Sequence, residues 1–119
     1  MKIKYNVNKE KGTVVAYFNG GKEYIKESIK YHLFKITNCS YDTSKCADAE
    51  FAGLDDDYFV GRAKVNFDAG DKFIVEVGKY LAHDRLLYKY RKLEKRIANR
   101  VAKMIKRDYD EMLKNLERI

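Results

Sequence analysis

The sequence predicts an α+β fold, in which a small three-stranded antiparallel sheet is combined with a short helix and a very long, basic C-terminal helix. Three observations lead to this prediction. Three segments alternate apolar and polar residues, as half-buried strands do. Residues 22–36 instead repeat apolar residues at helical spacing. From Lys72 onward a helical pattern contains one glycine, Gly78, and the chain has no proline to end it.

The N-terminal segments predict a β-hairpin followed by the short helix. Residues 2–7 place Ile3, Tyr5 and Val7 on one side of a strand. A polar turn at residues 8–12 leads into a second strand at 13–18, which is rich in β-branched and aromatic residues. Helical spacing then continues to residue 36, and residues 37–55 are polar and are expected to be irregular.

The second half of the chain predicts a strand, a turn and the long helix, which completes the order β-β-α-β-α. Residues 58–67 alternate again, and either Asp68 or Asp71 in the following turn is a candidate helix cap. A straight helix over residues 71–118 would span roughly 72 Å, whereas a compact domain of this size has a radius of gyration of about 14 Å. The helix must therefore project from the body or bend into a hairpin near Arg107. We divide the chain into a body, 1–84, which includes the start of the long helix, and a basic amphipathic extension, 85–119.

The extension has an apolar face that needs a partner. Its expected partner-helix residues advance by three or four positions; they are Leu93, Ile97, Val101, Ile105, Met112 and Leu116. Because a stripe of this length is unfavourable in water, we expect a second helix against it. That helix would come from a dimer mate, from a fold-back or from a target protein. A mean step of about 3.6 residues argues against a long parallel coiled coil.

Positive charge is concentrated in this extension. The net charge is +7, but residues 85–107 contain ten Lys and Arg against Glu94 alone, a local charge of +9, so the rest of the chain carries −2. Seven of these cations fall within about 80° of the helix circumference. This basic stripe comprises Arg85, Lys89, Lys92, Arg96, Arg100, Lys103 and Arg107.

The basic stripe predicts a polyanionic partner, because like charges one turn apart repel each other and phosphates along a nucleic acid would neutralise them. Lys92, Arg96 and Arg100 lie at its centre and are expected to matter most. A simply solvated helix face and an acidic protein surface are the alternatives. A membrane partner is not expected, since the helix lacks the Trp and Phe that anchor interfacial helices.

The sequence gives no support for catalysis, so we predict no catalytic residues, no metal, no cofactor and no enzymatic activity. His83 and Asp84 are adjacent in a helix and do not face each other. Cys39 and Cys46 have no usual metal-ligand spacing. The acidic run 55–57 is interpreted as a solvated loop. Without an apolar leader or an 18-residue apolar stretch, the predicted location is the cytoplasm, that of the host cell if the protein is phage-encoded.

One segment resembles a motif of small uncharacterised proteins from phages and Gram-positive bacteria. In the motif, a strand of the form G-x-A-x-C is followed by an acidic turn, D-x-F, and a helix opening E-x-G-x-x-L-A-x-x-R. The matching residues lie between 60 and 86 and are Gly61–Asn66, Asp71–Phe73, Glu76–Ala82 and Arg85. Val65 stands where the cysteine is usual, and Phe67 replaces a proline. The resemblance implies strands packed on a helix, similar to a double-stranded-RNA-binding domain, and a phage context, but no activity.

These observations favour a small phage or mobile-element accessory protein that binds nucleic acid or a ribonucleoprotein through its basic stripe. The choice between RNA and DNA stays open. One alternative is an anti-CRISPR or other anti-defence inhibitor that contacts a host nuclease. The other is a structural homodimer formed by the long helices.

Overall fold

The computed structural model describes residues 2–52 and 58–117 and confirms the α+β class. The element order is β-β-α-α-β-α, which adds one short helix to the predicted order. The elements are β1 (Lys4–Asn8), β2 (Thr13–Asn19), α1 (Gly21–Thr37), α2 (Ser44–Phe51), β3 (Tyr58–Lys64) and α3 (Val75–Glu117), with a 3₁₀ turn at Phe67–Ala69.

The three strands form one antiparallel sheet in the order β1-β2-β3, so β3 is an edge strand. The β2–β3 register pairs Val14 with Ala63 and Phe18 with Phe59. These four side chains point to the same face and are buried, because alternate residues of a strand share a face. Helix α3 packs on this face, which makes it the core side of the sheet.

Helix α3 approaches β3 very closely at Gly61. A Cβ atom added to Gly61 would lie 2.0 Å from the carbonyl oxygen of Ala82 and 2.5 Å from the backbone nitrogen of Leu86. Both atoms belong to the backbone of α3, so no side-chain rearrangement can make room. The glycine of the G-x-A segment therefore sets the distance between strand and helix.

An aromatic cluster joins the sheet to α2 and α3. The ring of Tyr90 lies 5.3 Å from that of Phe59 and 6.3 Å from that of Phe18, centroid to centroid, both in edge-on orientations. Phe51 of α2 packs edge-on against Phe59 at 6.5 Å. Such edge-to-face arrangements are the favourable ones for aromatic pairs.

The prediction of an irregular segment at 37–55 is wrong for residues 44–51, which form α2. The polar composition of this helix masks a short apolar face, in which Ala47 and Phe51, one turn apart, are buried. The helical pattern of this segment is weak, and the helix is stabilised by the packing of those two residues against α3 and the aromatic cluster. The acidic run 55–57 lies outside the described residues.

Helix α3 is continuous for 43 residues, from Val75 to Glu117. This corresponds to roughly 64 Å of helix, and the molecule measures 75 Å along its longest axis, with a radius of gyration of 20.0 Å. The predicted alternative of a fold-back near Arg107 is therefore wrong, and the alternative of a helix that projects from the body is confirmed. Neither Asp68 nor Asp71 caps the helix, because it begins at Val75.

The core does not stop at residue 84. Leu86, Tyr90, Ile97 and Val101 of α3 are all buried, and Ile105 is half-buried. Beyond Ile105 every described side chain is exposed, from Lys106 to Glu117. This exposed end of α3, 106–117, is called the tip below.

Candidate nucleic-acid interface

Two residues of the basic stripe are used to protect the sheet edge. The guanidinium of Arg85 donates to the carbonyl oxygen of Arg62, and the ammonium of Lys89 donates to that of Val60 at 2.9 Å. Both carbonyls belong to β3, whose outer side has no neighbouring strand among the residues that the structure describes. Unpaired edge carbonyls are a template for unwanted strand pairing, so Arg85 and Lys89 have a structural role.

Two further residues of the stripe hold α2 in place. The carboxylate of Glu50 lies 2.8 Å from Nε of Arg100 and 3.4 Å from Nη1 of Arg96. The Glu50 side chain is only 10% exposed, whereas those of the two arginines are more than half exposed. The charge of Arg96 and Arg100 is thus partly compensated by Glu50 of α2.

The remaining members of the stripe are freer. Lys92 and Lys103 are exposed and have no hydrogen-bond or ion-pair partner within residues 2–52 and 58–117. Nε of Arg107 lies 3.8 Å from Oδ1 of the neighbouring Asp108, and both side chains are largely exposed. An exposed pair of this kind contributes little.

Between residues 85 and 107 of α3, five exposed cations are without a partner among the described residues: Arg91, Lys92, Lys95, Lys103 and Lys106. At 100° per residue they lie within about 120° of arc, on the side of the helix opposite the fully buried Ile97. We call these five residues the cationic ridge. It is rotated away from the predicted stripe, because the side of the stripe nearest the body is used by Glu50 and β3.

Glu94, the single acid between residues 85 and 107, borders the ridge, because it lies three residues after Arg91 on the helix. It is half-buried beside the phenol of Tyr90. Burial raises the pKa of Tyr90 above its ordinary value, and the neighbouring Glu94 carboxylate raises it further. Glu94 therefore belongs to the core boundary, and within the described residues it forms no ion pair with a cation of the ridge.

A shallow groove between α2 and α3 adjoins the ridge. Lys45 of α2 faces Arg100, Lys103 and Arg107 of α3 across it, with the half-buried Cys46 at its side. Four positively charged side chains thus border the groove. It extends the positive surface from the ridge toward the body.

The predicted partner-helix face divides into two parts. Ile97 and Val101 are buried and Leu93 and Ile105 half-buried within the chain itself, so α1, α2 and the sheet supply the expected partner there. Met112 and Leu116 lie on the tip and are 47% and 57% exposed. These two residues lie beyond Ile105, where the contacts of α3 with the body end.

Two residues of interest were not predicted. Glu50 lies in the segment that was expected to be irregular, and its only sequence signal is an acid four residues after Cys46 on a short amphipathic stretch. Tyr88 is 67% exposed and lies beside the ridge, half a turn from the buried face. The sequence does show that Tyr88 lies outside the apolar stripe, on the charged side of the helix, and this position could have marked it as a candidate site residue.

Among residues 2–52 and 58–117, the structure brings together no group of three His, Cys, Asp or Glu side chains that could hold a metal ion. Nor is any helix in these ranges long and apolar enough to cross a membrane. Cys39 and Cys46 are free thiols.

Comparison of the chain with protein-family models, with curated proteins and with solved structures gives no match.

Proposed function

We propose that the protein binds nucleic acid through the cationic ridge of α3. The observation that carries the proposal is the set of five exposed cations on one side of the helix, with no acidic or carbonyl partner among the described residues. Pairs such as Arg91 and Lys95, one turn apart, repel each other by about 0.2–0.5 kcal/mol. Phosphates along the ridge would relieve this repulsion, and the groove beside Lys45 extends the surface available to them.

The location of the remaining charge supports a local contact. The chain outside residues 85–107 carries a net charge of −2, so a polyanion is attracted to α3 and not to the molecule as a whole. A local field of this kind steers association to one face. Contacts of Lys and Arg with phosphate provide affinity without reading the base sequence.

A salt titration tests the proposal. We expect the wild-type protein to bind labelled RNA or DNA at about 50 mM salt, and the slope of log K against log salt to be about −4 if all five ridge cations meet phosphates. Changing Arg91, Lys92, Lys95, Lys103 and Lys106 to Gln should remove most of this slope and most of the affinity. Gln preserves the helix, because its helix propensity is close to that of Lys and Arg.

The matched control changes five exposed lysines away from α3 to Gln: Lys2, Lys4, Lys9, Lys11 and Lys30. Both variants have the same net charge, since removing five positive charges from +7 leaves +2. The control should keep the wild-type affinity and slope within about twofold. The proposal is wrong if the wild-type protein binds no nucleic acid at this salt, or if the two variants lose affinity equally.

A second candidate function, self-association of α3, is favoured by the tip. Tyr109, Met112 and Leu116 are exposed there, and with the exposed Ala102 and the half-buried Ala98 and Ile105 they form a row spaced 4, 3, 4, 3, 4. This is the 3.5-residue repeat of a coiled-coil seam. Residues 98–107 carry +4 and residues 108–117 carry −3, so an antiparallel pair would place opposite charges together. Inhibition of a host nuclease stays a prediction from the sequence.

A further inference from the structure

We propose that the nucleic acid bound by this protein is single-stranded, and that one of its unpaired bases stacks on Tyr88. This inference rests on the proposed function and deepens it, because it specifies the ligand class and adds an aromatic residue to the cationic ridge. Tyr88 lies in a surface depression beside α3 whose lining residues are Arg62, Asp84, Arg85, Tyr88, Lys89 and Lys92.

Tyr88 has no structural use that accounts for its position. Its side chain is 67% exposed, and among the described residues its ring meets neither another aromatic ring nor a cation. By contrast, Tyr90, two residues further along α3, is buried in the aromatic cluster. A flat, amphipathic ring held on a rigid helix and left open to solvent is a platform for stacking.

The cations around Tyr88 are held in place before any ligand arrives. Arg85 and Lys89 are both exposed, and each is fixed by its hydrogen bond to a carbonyl of β3. Their side chains have therefore already lost rotamer freedom on folding, and binding a phosphate costs less additional entropy. Lys92 lies one turn beyond Tyr88 and is unpartnered in the described part of the chain. The site thus combines fixed and free cations around one ring, with Asp84 the single acid in its lining.

This combination discriminates between nucleic-acid classes. The bases of a duplex are already stacked on each other and cannot lie on Tyr88 without unpairing. Unpaired bases have free faces, and any base can stack on an aromatic side chain, because every base has a π-face. Phosphates on either side of the stacked nucleotide would then lie near Arg85 and Lys92. Single-stranded RNA and single-stranded DNA share this chemistry.

The experiment compares two exposed tyrosines of α3. The probes are fluorescently labelled 20-nucleotide poly(U) and poly(dT), and a blunt 20-base-pair duplex, each titrated with the full-length protein at about 50 mM salt. Tyr88→Ala should weaken binding to both single strands by roughly fivefold or more, the lower limit that corresponds to about 1 kcal/mol. Tyr88→Phe, which keeps the ring, should bind like wild type. Tyr80→Ala is the matched control, since Tyr80 is 69% exposed on the same helix but outside the site.

Binding to the duplex should be unchanged within about twofold in all three variants, because phosphate contacts alone contribute there. The inference is overturned if Tyr88→Ala binds the single strands as wild type does, or if it loses affinity for duplex and single strand equally. Either result would leave the ridge as a phosphate-binding surface. Failure of the wild-type protein to bind any of the three probes would overturn the proposed function itself. A helical circular-dichroism spectrum checks that each variant is folded.

Discussion

At the scale of single residues, Gly61 has little tolerance for change. The space that a side chain would need is filled by the backbone of α3, at 2.0 Å from the Ala82 carbonyl oxygen. The strand and helix must therefore separate to accept even a methyl group, and the contacts of the buried Leu86 and Ala63 would loosen with them.

We expect Gly61→Ala to lower the free energy of unfolding by roughly 3 kcal/mol or more, at the upper end of overpacking effects. Chemical denaturation followed by circular dichroism measures this. Lys64→Ala, at an exposed position of the same strand, should change stability by less than about 0.5 kcal/mol. An equally stable Gly61→Ala protein would contradict the close approach of β3 and α3.

Loss of the Glu50 side chain is expected to lower stability and, at the same time, to raise the affinity for nucleic acid. Its nearly buried carboxylate holds Arg96 and Arg100, and both arginines face the side of α3 that the sequence assigned to nucleic acid. Glu50→Ala should lower the free energy of unfolding by about 1–2 kcal/mol, because a charged hydrogen-bond network is lost while the arginines stay half-solvated. It should also raise nucleic-acid affinity several-fold, because two cations are released and one negative charge is removed.

The control for this prediction is Glu27→Ala, which removes the same charge from an exposed position of α1. It should leave stability unchanged and affect binding less than twofold. Denaturation and the poly(U) titration measure the two quantities on the same samples. If Glu50→Ala weakens binding in a folded protein, then Arg96 and Arg100 are not available to the ligand, and the ridge alone is the interface.

At the scale of elements, the strands, α1 and α3 could be predicted from the sequence. In each of them, apolar residues recur at the spacing that places them together on the buried face. Ile25 and Ile29 repeat at helical spacing and both are buried. Helix α2 could not be predicted in the same way, since it is eight residues long and buries only Ala47 and Phe51. A helix this short forms because tertiary packing supports it, and local sequence carries little of that information.

The sequence predicted which residues of the candidate site are positively charged, but not which of these residues face solvent without a partner. The spacing of the cations predicted their place on α3, and the structure has them there. Which cations face solvent depends on Glu50 and on the carbonyls of Val60 and Arg62, at least 23 residues away in the sequence. Backbone carbonyls are present at every residue, so no sequence pattern marks the ones that receive a side-chain donor.

At the scale of the whole molecule, the exposed tip is the region where we expect self-association. We expect self-association through the apolar row that includes Met112 and Leu116, and static light scattering at about 100 μM should detect a dimer. Leu116→Lys should give a monomer, because a charge in the seam must be desolvated on pairing. Asn115→Lys adds the same charge next to the seam and should leave the dimer intact.

A wild-type monomer at this concentration would rule out the dimer and leave the tip for a different partner. The radius of gyration then provides a second check. A monomer with an unbent α3 should give a value near 20.0 Å by small-angle X-ray scattering, against about 14 Å for a compact chain of this length.

The end of burial at Ile105 divides α3 energetically, although its backbone is continuous. Turns between Leu86 and Val101 can open only when the core opens, so their amide protons should exchange with solvent only through global unfolding. The tip is restrained by its own backbone hydrogen bonds and by no buried side chain, and it can unwind and re-form on its own. A partner that binds the tip therefore captures a segment in local helix–coil equilibrium, and part of the free energy of that encounter is used to complete the helix.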